Sequence, residues 1–503
     1  MHTKNQISNP YANKWLAFIG VALLSFGCYL DYTVVNVALP TIQVELQCNL
    51  TSLQWIMNIY FLTLCILATI MGRLADLFGR RRFFYLGTGI FALASIIAGM
   101  SPDINWLIFG RFLQGLGAAL VFPLGPSLLP LSFPEKERGK AIAWLGSLGG
   151  LALALGPVLG GAIVAYWNWR WIFYINIPII LLGYLFSFKS LNESNSSQDK
   201  VKLDWKGMLL LALGMGGIVL SLIHSQTLGW LNANTLTYLI VGLVAMIVLI
   251  KIEIGMEDPL IDFSDFSNLL FYGGAILCFL AGVMSAVTLF FDPLYLQVFR
   301  NQSPQTTGLI LFAIPVAVFL VAFIVDRLIS RWGLINSILL GLLLAALSAF
   351  LHLFFSSTSP LWYIILTFVC VGSMWALGNT VSLIAAQKAV GEDRASVATG
   401  TMVTMFNIGG SLGLAAAVVV YQFATAKSLQ RIFAITQTNH DQLDYLQNLI
   451  ANPAHSLQAA MTGVMQNIFN EVFIQGFAGV MWFLLVVSTL SLLSVVLWKF
   501  VRK

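Results

Sequence analysis

Fourteen stretches of about twenty apolar residues follow one another along a chain of 503 residues. Each is the length an α-helix needs to cross a bilayer. In lipid, every backbone polar group must be satisfied within the protein, so such a chain folds as a bundle of membrane-spanning helices. Composition agrees: 58% of residues are hydrophobic and 9% charged, with a mean hydropathy of +0.86. Soluble domains carry roughly 25% charge. Ten-residue segments of alternating polarity are absent, which argues against an outer-membrane barrel.

The expected spans are 15–38, 53–72, 83–101, 105–129, 140–164, 169–188, 205–224, 234–252, 269–297, 305–326, 333–355, 361–386, 396–422 and 474–498. No small-residue cleavage site follows the first, so it reads as a retained span. An even count puts both termini on one side. With the termini cytoplasmic, 21 Lys and Arg fall in inner segments and four (Arg170, Arg300, Lys427, Arg431) outside, leaving Arg111 in the membrane. That asymmetry fixes the orientation. The expected location is the cytoplasmic (inner) membrane, multi-pass, with both termini cytoplasmic.

Three polar segments interrupt the pattern. Residues 189–204 are a Ser/Asn-rich linker. Residues 253–268 hold Glu253, Glu257, Asp258, Asp262 and Asp265, an acidic inner loop. Residues 423–473 form a long outward segment, expected to be partly helical from Leu429, Ile432 and Phe433. The plan is six spans in 1–190, a linker with two inserted spans in 191–265, and six more spans in 266–503. Related halves enclosing a substrate near the midplane are a common transporter design.

Asp31 lies in the apolar stretch from Trp15 to Leu39. An ionised carboxylate there is costly and is kept where a partner or a working role offsets the cost. Arg111 supplies a partner. Both are expected about seven residues from the outer ends of their spans, roughly 10 Å. Gln114 shares the Arg111 face. A guanidinium beside a carboxylate tunes how readily it takes up a proton. A purely structural ion pair is the plainer reading.

Three further patterns stand out. GRLADLFGRRRFF, Gly72–Phe84, lies between spans 2 and 3. Gly72 suits close helix approach and Gly79 a tight turn. Asp76 suits a helix N-terminus or a basic partner, and Arg80 and Arg81 are cytoplasmic charge. LDYTVVNVALP, Leu30–Pro40, adds Thr33 and Asn36 to Asp31. LGSLGGLALALGPVLGGAI, Leu145–Ile163, presents Gly156, Gly160 and Gly161 as a smooth helix face, while Pro157 frees a carbonyl and bends the span. Packing alone is the bland reading of each.

These motifs resemble the major facilitator superfamily. The first matches its inner-loop signature at Gly72, Leu74, Ala75, Asp76, Gly79, Arg80 and Arg81, departing at Leu77. A degraded copy, IVDRLISRWG with Asp326 and Arg327, stands at the corresponding place in the second half. LDYTVVNVALP is similar to the signature of the fourteen-span drug:proton antiporters. LIFGRFLQGLGAAL, Leu107–Leu120, resembles the fourth-span motif whose Arg is implicated in proton coupling. The Gly-rich fifth span resembles the motif associated with antiporters. The resemblance implies an all-α major facilitator fold of two six-helix bundles plus two inserted helices. It also implies proton coupling through Asp31 and Arg111. In span 13, Phe406 and Asn407 stand where many relatives carry an Arg, so substrate range does not transfer from any one of them.

Asn36, Asn58, Gln114, Asp292, Trp375, Asn379 and Asn407 are the candidate cavity residues, with Gln387 a weaker one. Asp292 lies near the outer end of span 9 and reads as a second protonatable or cation-binding group, or as an interfacial acid. His224 and His352 sit near span ends and read as structural. The five cysteines are scattered without metal spacing. A Gly-x-x-x-x-Gly-Lys-(Ser/Thr) loop is absent, so the proton gradient is the expected energy source and no cofactor is expected. The reading is a proton-coupled antiporter exporting amphipathic or cationic compounds. The alternatives are a dedicated exporter of a metabolite, siderophore or lipid, and a non-transporting receptor or scaffold. An enzyme is not expected, since no nucleophile–base constellation is visible. Expected partners are the lipid bilayer, a small-molecule substrate, protons and a periplasmic adaptor protein, with no nucleic acid.

Overall fold

The computed structural model describes residues 13–501 except 189, 192, 194–203, 255, 257, 258, 260, 392, 393, 437–439 and 458–462. Most of the 189–204 linker, and Glu257 and Asp258 of the acidic loop, thus lie outside the described residues.

In the first part of the chain the helices are α1 Lys14–Glu45, α2 Leu50–Phe78, α3 Arg80–Gly99, α4 Ile104–Leu128, α5 Glu135–Tyr166, α6 Trp171–Tyr174 and α7 Asn176–Ser187. A paired insertion follows, α8 Trp205–Leu228 and α9 Ala233–Glu253. The last part comprises α10 Leu269–Leu294, α11 Pro304–Leu311, α12 Ala313–Ala322, α13 Val325–His352, α14 Leu361–Val390, α15 Ala395–Thr436, α16 His440–Ala451 and α17 Gly463–Val501. Polar caps set many of the starts. Asn49, Asp103, Asp204, Asn232, Asn268 and Ser303 each accept from a first-turn backbone N–H, satisfying donors that lipid cannot.

The chain is all-helical and multi-pass. Thirteen helical stretches among the described residues are long and apolar enough to cross a bilayer. The expected sixth span, Trp171–Ser187, falls short of that length and is divided between α6 and α7. The fourteen expected spans are therefore thirteen full-length stretches and this shorter apolar one. The first span also outruns its expected end, continuing through Pro40 to Glu45. Gly333, at φ +78°, breaks α13 where the eleventh span was expected to begin. Among its described residues the 423–473 segment is mostly helical: α15 continues to Thr436, α16 follows, and α17 begins at Gly463.

Burial ranks the helices. The membrane window of α10 is 89% buried and that of α1 72%, against 22% for α9 and 28% for α17. So α1 and α10 form the middle, while α9 and α17 face lipid with residues such as Ile240, Val244, Leu490 and Leu497. Helix α8 pairs with α9 and touches α2 and α15. The end at which α1 and α10 begin is called the near end and the opposite one the far end. At the near end, Arg394 forks onto Asp262 and Asp265 of the acidic loop, reaching Asp265 at 2.9 and 3.2 Å. At the far end, residues 453–457 fold back over α1, where the Ala454 N–H donates to Gln43 Oε1 at 3.2 Å and His455 Nε2 lies 3.0 Å from the Gln43 carbonyl.

Candidate functional site

Asp31 on α1 and Arg111 on α4 meet in a fully buried ion pair. Gln114, one turn beyond Arg111, donates to Asp31 Oδ1 at 3.0 Å and accepts from Arg111 Nη1 at 2.8 Å. Asn176 at the start of α7 donates to the same carboxylate oxygen at 3.2 Å. Ser95 Oγ on α3 accepts from both amides, at 2.9 and 3.3 Å. Arg111 Nε donates to the Ile56 carbonyl of α2 at 3.0 Å, and its guanidinium stacks 4.4 Å from the centre of the Tyr60 ring. One carboxylate thus gathers five helices. In a dry interior a charge is tolerated when its lone pairs are filled this fully.

The Gly-rich face of α5 locks onto the residues just past Asp31. A Cβ at Gly156 would come within 1.9 Å of Thr33 Oγ1, and one at Gly160 within 2.5 Å of the Val34 carbonyl. Pro157 has no N–H to offer the Leu153 carbonyl one turn back. The Thr33 hydroxyl takes that carbonyl instead, at 3.0 Å. Pro157 of the fifth-span motif and Thr33 of the first-span motif are therefore two sides of one contact. Thr33→Val keeps the shape and orphans the Leu153 oxygen. It is expected to cost about 1 kcal/mol, read as a lower denaturation midpoint in detergent. An unchanged midpoint would show that water or another donor serves that carbonyl.

The same helix forms the seam between the halves. Near the far end, a Cβ at Gly161 would sit 2.5 Å from the Pro304 carbonyl, and one at Gly308 2.1 Å from the Pro157 carbonyl. Gln297 beyond α10 donates to the Val37 carbonyl at 2.8 Å, and Tyr166 Oη to Gln305 Oε1 at 3.1 Å. Gly146 and Gly150 lie on the α5 stripe that continues to Pro157 and Gly161. Toward the near end, however, nothing among the described residues stands within 4 Å of either glycine's Cβ position. The seam that α5 makes with α11 is closed at the far end, while the α5 stripe around Gly146 and Gly150 is open toward the near end. Gly161→Leu is expected to prop the far end open and slow transport about tenfold or more. Parental transport rates in proteoliposomes would contradict the seal.

The other expected site residues divide. Trp375 on α14 is buried, with its ring 6.3 Å from Tyr32 of α1, so it touches the first half across the seam. Asn58 and Gln54, one turn apart on α2, are buried, and neither amide has a hydrogen-bond partner among the described residues. Phe61 on the same face lies under Gly410 of α15. Asn36, Asn379 and Asn407 instead bond their own helices, at the Tyr32 and Thr33, Trp375 and Val403 carbonyls. Asn379 is exposed. Asp292, near the far end of α10 as expected, is fully buried against His352 within the second half rather than exposed as an interfacial acid.

In the near-end loop, Gly79 ends α2 at φ +112°, as expected of a turn glycine. Gly72 is not needed for close approach, because a Cβ there would meet Pro123 at an ordinary 3.9 Å. The side chain of Asp76 lies outside the described residues. Arg81 donates from its backbone N–H to Glu193 at 2.9 Å and from Nη2 to the Phe188 carbonyl at 2.8 Å, while Arg82 Nε lies 3.7 Å from Glu193. Glu193, Asn176 and Ser95 were missed in the sequence. Each is one polar residue amid linker or apolar residues, and only the folded register brings it to its partner.

The Major Facilitator Superfamily model matches residues 21–414. The chain belongs to that superfamily. It is therefore a transporter set in a lipid bilayer, not an enzyme, and its substrate is a small molecule. It is 32% identical over 406 residues to Multidrug resistance protein Stp of Mycobacterium tuberculosis, covering 80% of this chain and 74% of that one. It is 29% identical over 360 residues to Riboflavin transporter RibZ of Clostridioides difficile, covering 71% and 77%. A solved bacterial homologue of the human lysosomal transporter Spinster, inward-facing and unoccupied, shares the fold with a TM-score of 0.64 and 14% identity. The match spans 96% of this chain and 97% of that one.

Proposed function

We propose that the protein is a proton-coupled antiporter that exports amphipathic or cationic drugs across the cytoplasmic membrane, with its near end cytoplasmic. The observation that carries this reading is the buried Asp31 carboxylate and its three donors, Arg111, Gln114 and Asn176. Taking up a proton removes the anion that holds Arg111, while Arg111 stays charged. The residues two and three places on, Thr33 and Val34, bear directly on Gly156 and Gly160. A shift of α1 on protonation therefore reaches α5 and the seam it forms with α11. Cargo would bind between the halves, where Tyr32, Phe61 and Trp375 offer aromatic faces and Asn58 and Gln54 offer free amides. Aromatic faces suit organic cations. The multidrug-resistance name of the Mycobacterium tuberculosis relative points the same way.

The riboflavin-transporter relative favours a second reading, export of one endogenous metabolite. Accumulation assays in a drug-susceptible host separate the two. Cells producing the chain are expected to hold less ethidium and tetraphenylphosphonium than control cells, and a protonophore should erase the difference. Lowered riboflavin with unchanged dye would favour the metabolite reading. Equal levels of all three, or a difference that survives the protonophore, would overturn the proposal.

A further inference from the structure

The second half holds a buried titratable pair that the coupling scheme above does not use. Asp292 lies two residues before the far end of the central helix α10, and His352 closes α13. His352 Nε2 stands 3.5 Å from Asp292 Oδ1, and both side chains are fully buried. Neither carboxylate oxygen has a hydrogen-bond partner among the described residues. The surroundings are apolar and aromatic. Phe355, Phe368 and Phe477 have their centres 4.6, 5.9 and 6.4 Å from the imidazole.

Hydrogen bonding fixes the proton arithmetic. His352 Nδ1 faces the Ser348 carbonyl at 2.8 Å. A carbonyl only accepts, so Nδ1 carries a hydrogen and Nε2 is the atom that titrates. Against Asp292 the pair is satisfied when it holds one proton, as imidazolium beside carboxylate or as neutral imidazole accepting from a carboxylic acid. With none, a carboxylate is buried beside a lone pair. With two, an imidazolium is buried beside a neutral acid. Each proton thus changes the net charge of a dry site by one, which is costly unless the site opens.

Neighbouring groups do not neutralise the pair. Tyr295, one turn on from Asp292, donates to the Ser356 carbonyl at 2.8 Å, and Tyr363 of α14 donates to the Leu351 carbonyl at 2.6 Å. Tyr421 of α15 packs on Phe291, and α17 presents Phe477. Arg300, eight residues beyond Asp292, turns to the Ser359 carbonyl at 2.5 Å. The turn 295–299 beyond Asp292 is covered by residues 453–457, the segment that also folds over the far end of α1.

We propose that Asp292 and His352 form a second proton-binding site, in the half of the molecule opposite Asp31 and Arg111, reached from the far end. When the far end opens, a hydronium ion gives a proton to Nε2 of the neutral imidazole beside the Asp292 carboxylate, forming the imidazolium–carboxylate pair, and the proton returns to water by the reverse step. Under the proposed orientation this is the side from which driving protons come. The use of the site in transport rests on the proton-coupled reading, but its existence does not.

The test is nitrogen-15 histidine NMR on the full chain in lipid nanodiscs, with the His352 signal assigned by its loss in His352→Gln. In the parent, Nδ1 should remain protonated while the Nε2 signal titrates. In Asp292→Asn the midpoint should move to lower pH by about one unit or more, because the anion favouring imidazolium is gone. Asp31→Asn should leave it in place, which separates this site from the coupling pair. Asp292→Glu, which keeps the charge but moves it, should also displace the midpoint and serves if the Asn variant does not assemble. A His352 signal that does not titrate between about pH 4 and pH 10 would overturn the proposal. A midpoint indifferent to Asp292 would do the same.

Discussion

Asp31→Asn is expected to abolish uphill export while leaving gradient-free exchange of labelled and unlabelled substrate largely intact. The amide keeps one oxygen for Arg111, and its NH2 can be met where the Gln114 or Asn176 amide turns its own oxygen inward, so the five-helix junction still has a centre. It carries no charge at any pH and so imitates a permanently protonated carboxylate. The cycle can run in both directions, but the proton gradient no longer pushes it. The loss of driven accumulation should approach about a hundredfold, since a gradient of two pH units coupled through one proton sustains at most that ratio for a neutral substrate. Comparing exchange with driven accumulation in proteoliposomes reads both at once. Driven accumulation at the parental level would end the role assigned to Asp31.

Arg111→Lys should be nearly as damaging although it keeps the charge. Arg111 reaches the Ile56 carbonyl through Nε while Nη1 holds both Asp31 and Gln114, and its plane lies over Tyr60. A single ammonium on a flexible stem cannot span those partners together. Losing one or two charged hydrogen bonds should cost about 2–3 kcal/mol in unfolding, and driven transport should fall well below a tenth of the parental rate. The check is a chemical-denaturation midpoint measured beside the transport rate. Parental values for both would mean that position 111 needs only a positive charge.

Much of this was legible in the sequence, and for physical reasons. Apolar runs of bilayer length leave helix as the only backbone solution, so the helical fold could be read before any contact was known. Asp31 and Arg111 declared each other because charges in apolar runs have few ways to be tolerated. The pairing of Thr33 with the Leu153 carbonyl was only half visible. Pro157 announces a free carbonyl but not who takes it. Ser95 and Asn176 were hidden because single small polar residues are common in membrane helices, and their meaning lies in a register between helices far apart in the chain. Asp292 stands near the far end of α10, as expected, but its partner was hidden for the same reason. His352 reaches it from the end of α13, in a different stretch of the chain. The sixth span was counted by hydropathy, which does not see the division of Trp171–Ser187 at Ile175.

The central claim is that substrate leaves as protons enter. The direct measurement uses proteoliposomes that are weakly buffered, filled with tetraphenylphosphonium and a lumenal pH dye, clamped at zero membrane potential and diluted into substrate-free medium at equal pH. As the cation runs out, the lumen should acidify in the parent and stay at constant pH in Asp31→Asn. Efflux of the cation by the parent protein with no change in lumenal pH would contradict the account.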